Sequence, residues 1–426
     1  MKGTIKRVNI QIHLGFSERK HLRTQFKRLL ILLFCSVFFV GVMARRKQAV
    51  PHIPILGWYS IPPGKDATLE HYREMREAGF DYSFSHIYKY EDAIRALDLC
   101  AEVGMKSVFM CPELKKEPEE TVRRVMKHPG LGMYFLRDEP KNDDMEELGT
   151  WARRIKSVDD KHPCYLNLLP IGAYYTPDNT YENHLHLFNE KVDLPQISFD
   201  HYPISEKDGV VSLSSIWYEN LEVVSAEARR VGKPFWAFAL SSAHWSFPIP
   251  TIEHLRLQMY SNLAYGAQLL QYFTYWKPGG DNHISAPIML DGRRTGDYEL
   301  VRQMNLEIQQ RAFVWAGCTV KSVCHIGDKI PVGTRPLTTI PAHFRTLQNE
   351  QGSGLVSEIQ NGGRNFVMLV NTSPTGEWHV RIETDNQVQL IRRDGTSAPA
   401  WLYDSLFILS PGDCAIFEQT RGPKSH

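Results

Sequence analysis

Gly132-Met133-Tyr134-Phe135-Leu136-Arg137-Asp138-Glu139-Pro140 is a short apolar run that carries an arginine and two acids at its C-terminal end. Pro140 has no backbone N–H to donate and stops a strand there. A run this apolar suits a strand covered on both faces, the condition of a parallel sheet in an α/β protein. In such sheets ligands and chemistry collect at the carboxyl ends of the strands. Two adjacent carboxylates at that place lose hydration and need a counter-charge or a task. The plain structural alternative is an ion pair with Arg137.

Runs of the same kind continue in both directions. Strand-like segments fall at 55–60, 82–86, 107–111, 132–137, 164–169, 196–200, 235–240 and 270–275. Helix-like stretches at 68–78, 90–103, 119–127, 144–158, 182–189, 212–230, 251–266 and 297–314 follow them in turn. Glycine stands after Ala78, Val103 and Val231, where a left-handed helix cap is wanted. Eight strand–helix units over about 260 residues predict a TIM (β/α)₈ barrel, an α/β fold. A doubly wound open sheet rarely needs eight units, and no Gly-rich phosphate loop follows the first strand. After Cys318 the pattern becomes strand-only, with turns at Asn361-Gly362-Gly363, Asp394-Gly395 and Ser410-Pro411-Gly412. That predicts a small antiparallel β-sandwich. The expected organisation is an N-terminal leader over 1–50, a barrel over 51–318 and a sandwich over 319–426, with 327–348 either a linker or the first sandwich strands.

The chain has 426 residues and a formal net charge of +1, and no basic block stands in its globular part. Nucleic-acid binding therefore has no electrostatic footprint. Residues 29–43 (LLILLFCSVFFVGVM) are apolar and uncharged behind a basic leader. The run has the length of a signal-peptide core and is short for a span, which needs about 20 residues. Val42-Met43-Ala44 offers a small-residue cleavage site, while Arg45-Arg46-Lys47 directly after it leaves an uncleaved anchor open. The expectation is export to the periplasm, the cell surface or the medium, with membrane attachment only through this segment. The seven cysteines form no CxxC pair, and no histidine stands at metal spacing from them. No metal and no cofactor is expected, and nothing indicates an oligomeric state.

A barrel builds its site at the C-terminal rim. The residues expected there are Tyr59, His86 with Tyr88, Glu113, Arg137, Asp138, Glu139, Asn167, Asp200, His201, Tyr202, Ser241, Ser242, His244, Trp245, Tyr275, Trp276 and Lys277. Acids and flat aromatics at one rim suit a sugar: rings stack on its C–H faces while carboxylates and amides bind its hydroxyls. A half-buried rim position is also where Tyr and Trp sit for packing alone. Alternation along a strand sharpens the choice among the acids. Ile197 and Phe199 suit the helix layer, which leaves Ser198 and Asp200 inside. In the fourth strand Met133, Phe135, Arg137 and Glu139 share one face, so Glu139 is favoured over Asp138 for the mouth, with Arg137 beside it, unless the strand bulges.

A barrel with a glutamate closing its fourth strand, a sandwich after it and an export signal before it resembles a bacterial glycoside hydrolase. In the large clan of retaining barrel glycosidases an Asn-Glu pair ends the fourth strand and a second glutamate, the nucleophile, ends the seventh. This chain has Asp138-Glu139 at the first place; at the second, Phe235-Trp236-Ala237-Phe238-Ala239-Leu240-Ser241-Ser242 holds no carboxylate. The Asp-Glu-Pro run is closer to barrel hexosaminidases, where the glutamate is the general acid/base and the preceding aspartate orients a substrate acetamido group. The resemblance implies hydrolysis of an O-glycosidic bond in a carbohydrate. Glu139 would be the acid and Asp200 or Asp138 the second group, with Tyr59, His86, Arg137, Asn167, Tyr202, His244, Tyr275 and Trp276 around the sugar. The alternative is a sugar-binding protein on a degenerate barrel, since fold does not fix function.

Overall fold

The computed structural model describes residues 50–173, 180–403 and 405–420, so the expected leader lies outside the described residues except for Val50. Among the described residues no helix is long and apolar enough to cross a membrane. Eight parallel strands form the first layer: β1 (Ile55–Trp58), β2 (Tyr82–Ser83), β3 (Lys106–Phe109), β4 (Leu131–Asp138), β5 (Cys164–Asn167), β6 (Ile197–Phe199), β7 (Phe235–Leu240) and β8 (Leu269–Phe273). Their order is β5-β4-β3-β2-β1-β8-β7-β6. One parallel bridge, Leu168 to Phe199, brings the two ends of this sheet together, with the Leu168 N–H donating to Ser198 O at 2.8 Å. The barrel expected from the repeating units is present.

Alternation divides each strand between two cores. Leu56, Trp58, Phe84, Val108, Met133, Phe135, Tyr165, Phe238 and Leu269 fill the barrel. Ile55, Tyr134, Leu166, Ile197, Phe199, Ala237 and Tyr272 face the helices. Hydroxyl caps start several helices: Thr68, Thr180 and Thr251 each accept the backbone N–H three residues on. Gly232, at φ 67°, closes the helix Trp217–Val231 in the left-handed region.

That helix is shorter than expected. Residues Ile204–Lys207 and Val210–Leu213 pair as an antiparallel hairpin before it. Asp208 and Gly209 both take positive φ, 53° and 76°, as a two-residue hairpin turn requires. Val210 and Val211 favour a strand, and the Asp-Gly turn outweighs the helical pattern there.

After the helix Ala312–Trp315 the chain is antiparallel sheet, beginning at Thr319–Gly327. A six-stranded and a three-stranded sheet enclose a second core that includes Phe344, Val367, Trp378, Val380 and Phe417. The stretch expected as linker or strand carries no strand from 328 until Phe344–Gln351 opens the smaller sheet. The other face of the larger sheet packs on the barrel helices, with Leu355, Phe366, Met368 and Ile416 in one core with Leu263, Ile308 and Trp315. Ser357 Oγ donates to Ala264 O at 2.7 Å across this contact. The described residues from Pro51 onward thus form one compact unit. The six described cysteines are free thiols.

Candidate active site

The end of β4 is bent by one extra residue. Its register against β5 runs Tyr134–Cys164, Phe135–Tyr165, then Arg137–Leu166 and Asp138–Asn167, so Leu136 has no partner. A bulge of this kind flips the faces of every residue after it. Arg137 now shares the helix-facing side with Leu166, and Asp138 shares the interior side with Asn167. Strict alternation had placed Arg137 in the mouth and Asp138 outside; the bulge exchanges them. Arg137 is exposed and pairs with Asp144 at 3.1 Å, away from the acids it was expected to accompany. Glu139 still reaches the rim, by a turn instead of by alternation. Its φ is 45° and its N–H donates to Asn167 O at 2.8 Å. A left-handed glutamate is uncommon, and such residues concentrate at functional sites.

Asp200 follows β6 on the interior side, as expected, and is 8% exposed. It ends a hydrogen-bond chain that crosses the barrel. Tyr165 OH donates to Gln271 Oε1 at 2.5 Å, and Gln271 Nε2 donates to Ser198 Oγ at 2.9 Å. Ser198 Oγ donates to Asn167 Oδ1 at 2.9 Å, and Asn167 Nδ2 donates to Asp200 Oδ1 at 2.7 Å. Every donor points toward the carboxylate, and in a low-dielectric interior such bonds polarise one another. Gln271 was not among the expected site residues, because one amide inside the apolar β8 carries no signal of its own.

The charges of Glu139 and Asp138 act on the acids beside them. Burial pushes Asp200 well above the usual carboxylate range, the charges of Glu139 and Asp138 push it further, and the Asn167 amide opposes them. Asp138 is raised to about 7 by desolvation first and the Glu139 charge second, again against Asn167. Asp138 is open to the mouth's water, which weakens the first cause, but Glu139 acts in the same direction. Desolvation raises Glu139 as well. Near neutral pH the cluster therefore keeps a proton that isolated acids would have lost. Tyr202 lies beside all three: after burial, the charges of Asp200, Asp138 and Glu139 hold its phenol well above 10, so it remains a donor.

Aromatic rings line the rest of the mouth. Tyr59, with φ 43° and 37% exposed, sits 5.2 Å from the His86 ring. His86 rests on Trp58, Phe84 and Phe135; burial lowers its pKa, and its Nδ1 has no partner among the described residues. Phe273, at the end of β8, joins the wall: it lies 5.8 Å from Tyr59, 5.6 Å from Tyr202 and 5.4 Å from His244. It was not among the residues expected at the rim. His244 is 2% exposed and stacks on His283 at 4.8 Å, so it backs the wall and does not open onto it. Burial, and then His283, lower its pKa to about 4.

Tyr275 and Trp276 are not in the mouth. β8 ends at Phe273, and the chain then runs beside the end of β1, with the N–H groups of Tyr275 and Trp276 donating to Trp58 O and Tyr59 O. Tyr275 is fully buried against Phe80 at 5.1 Å, and Trp276, 2% exposed, meets His71 edge-on at 5.0 Å. Both belong to the helix layer. Glu113 lies in the short helix Pro112–Lys116 after β3, with Oε2 buried and unpartnered. Among the described residues no cluster of three or more His, Cys, Asp or Glu is arranged to hold a metal ion.

No family model and no curated protein matches this sequence. Solved structures do match. An α-amylase from Geobacillus thermoleovorans complexed with acarbose aligns at 9% identity and a TM-score of 0.51, over 88% of this chain and 100% of that one. An α-L-arabinofuranosidase from Thermotoga maritima aligns at 10% identity and 0.48, over 87% and 96%. A β-galactosidase from the psychrophilic Marinomonas ef1 aligns at 10% and 0.46, over 61% and 60%, so this chain spans less than two thirds of that enzyme's length. At 9% identity, what the chain has in common with the α-amylase is the fold.

Proposed function

We propose that this chain is a glycoside hydrolase acting on an oligo- or polysaccharide. The observation that carries the proposal is the convergence of Glu139, Asp138 and Asp200 on one aromatic-walled mouth, where Glu139 raises the proton affinity of Asp138 and both raise that of Asp200. Glycosidic cleavage needs a carboxylic acid still protonated at working pH and a second group to meet the oxocarbenium centre. Glu139, the acid turned to the rim, protonates the leaving oxygen. The second group is Asp200, held by Asn167, or Asp138, which the bulge turns inward to orient a substrate acetamido group. Tyr59, Phe273 and Tyr202 supply the faces on which a sugar ring lies. The apolar segment over 29–43 supports export, and the onset of strand-only chain at Thr319 supports the division into a barrel over 51–318 and a sandwich over 319–426.

A non-catalytic sugar-binding role has one observation in its favour. β7 ends on Leu240 and is followed by the buried Ser241 and Ser242, so the seventh strand brings no carboxylate. Incubating the full chain with plant, host and bacterial glycans, followed by product analysis, separates the two. Hydrolysis of one glycan by the parent, falling by about 10²–10⁴ in Glu139→Gln, is the expected result. A Glu139→Gln variant at parental rate removes Glu139 from the chemistry. Binding without any product in the parent establishes the second role.

A further inference from the structure

The sandwich carries a concavity that the barrel chemistry does not use. It has a volume of about 230 Å³ and is walled by Ile382, Ala400, Phe407 and Phe417. That is below the roughly 300–1,000 Å³ of sites for drug-sized ligands, and it suits one small ring. Trp401 and Tyr403 stand at its edge on the turn Ala400–Leu402 and just after it, 55% and 39% exposed.

The polar groups around it are already oriented. Arg392 Nε donates to Tyr403 OH at 3.2 Å, Thr346 Oγ1 donates to Glu383 Oε2 at 3.2 Å, and Arg381 Nη1 donates to Ser405 Oγ at 3.2 Å. One group is left over. Thr384 lines the cavity, is 9% exposed, and its Oγ1 has no hydrogen-bond partner among the described residues. Arg345, exposed at the same rim, makes no ion pair among the described residues and acts on Asp385 only through its charge. A buried hydroxyl without a partner is a cost that natural folds seldom leave uncompensated, and one beside preset donors and acceptors points to a ligand.

We infer that this cavity is a second carbohydrate site, taking one pyranose ring of the glycan whose cleavage is proposed above; the inference rests on that proposal for the identity of the ligand. The ring's C–H face lies on Trp401, and its hydroxyls meet Thr384, Glu383, Ser405, Tyr403 and Arg345. A protein partner is the competing occupant, because Leu406 and Ile408 expose apolar surface on the neighbouring edge strand. The charged rim favours the sugar, since a dry protein contact is depleted of such groups at its centre.

Affinity electrophoresis of the full chain carrying Glu139→Gln, through gels containing amylopectin, arabinan, galactan or polygalacturonate, tests this. At least one polymer should retard it, and adding Trp401→Ala or Thr384→Val should weaken that retardation about tenfold or more. Thr384→Val removes only a hydroxyl that bonds nothing, so it should leave the thermal midpoint unchanged or higher; a purely structural role would not lose glycan affinity at the same time. In the background with Glu139 intact, both variants should hydrolyse a short aryl glycoside at the parental rate. Retardation by no polymer, or equal retardation of parent and variants, overturns the site, even if the polymer is hydrolysed and the glycosidase reading stands. Retardation lost in the variants of a chain that hydrolyses nothing keeps the site and removes that reading. A concentration-dependent dimer broken by Trp401→Ala, with glycan mobility unchanged, assigns the surface to self-association and overturns the proposal.

Discussion

Asn167 Nδ2 donates to Asp200 Oδ1 at 2.7 Å, and the same amide also restrains Asp138. One side chain thus opposes the upward drift of two carboxylates, because a hydrogen bond to the charged form favours that form. Its own orientation is fixed by Ser198, which Gln271 holds in turn.

Asn167→Leu should therefore raise the pKa of both Asp200 and Asp138 and leave Asp200 and Ser198 without their partner. The ascending limb of the pH–rate profile should move to higher pH, and activity at pH 6 should fall about tenfold or more. Losing a buried partner should also cost about 1–3 kcal/mol of stability, read by denaturant unfolding. An unchanged pH profile with lowered stability would reduce Asn167 to a packing role.

Gln271→Leu breaks the chain at the third hydrogen bond from Asp200 and touches neither Glu139 nor the rim aromatics. Its effect should be the same in direction as that of Asn167→Leu and smaller, with a shifted limb and little change in KM. A large KM change without a shifted limb would show that Gln271 shapes the mouth and does not tune the acids.

The rearranged positions give a third expectation. Arg137→Ala removes only an exposed pair with Asp144, worth about 0–1 kcal/mol, and should leave KM and kcat within a factor of about two. Tyr275→Phe removes a buried hydroxyl that has no partner, so stability should hold or rise slightly with activity unchanged. Trp276→Ala should cost about 3–5 kcal/mol through the cavity it leaves. Sugar affinity lost in Tyr275→Phe, with the fold intact, would return that residue to the mouth.

The barrel was legible because eight apolar runs with helical stretches between them have few other arrangements. The inward aim of Asp200 was legible because Ile197 and Phe199 mark the outer face of an unbroken strand. The aim of Asp138 was not, because the bulge at Leu136 is set by the register against β5 and no residue type announces it. Tyr275 and Trp276 were misplaced for a related reason: 270–275 reads as one strand, whereas the strand ends at Phe273. The hairpin turn at Asp208-Gly209 was readable in principle, and the helical pattern over 212–230 hid it. Gln271 and Phe273 join the site through contacts across the barrel, which a linear pattern does not record.

Asp138 gives an expectation of unusual sign. Its carboxyl ionises at about 7 in the folded chain, against an ordinary value near 3.9 in an unfolded one. Between those values the folded state binds the extra proton, so stability falls as pH rises from about 4 to 7 and is level above that window. Most paired acids do the reverse. Asp138→Asn cannot ionise and keeps an amide that can bond Asn167. Its thermal midpoint should match the parent's near pH 4 and exceed it at pH 7.5, by something on the order of 2 °C because the group is open to water. Differential scanning calorimetry at intervals from pH 4 to 8 reads the difference directly. A gap that stays flat across the window would show that Asp138 ionises like a free carboxylate and that the shared proton resides on Asp200 and Glu139 alone, and one that opens on the acid side would show that its pKa is lowered instead.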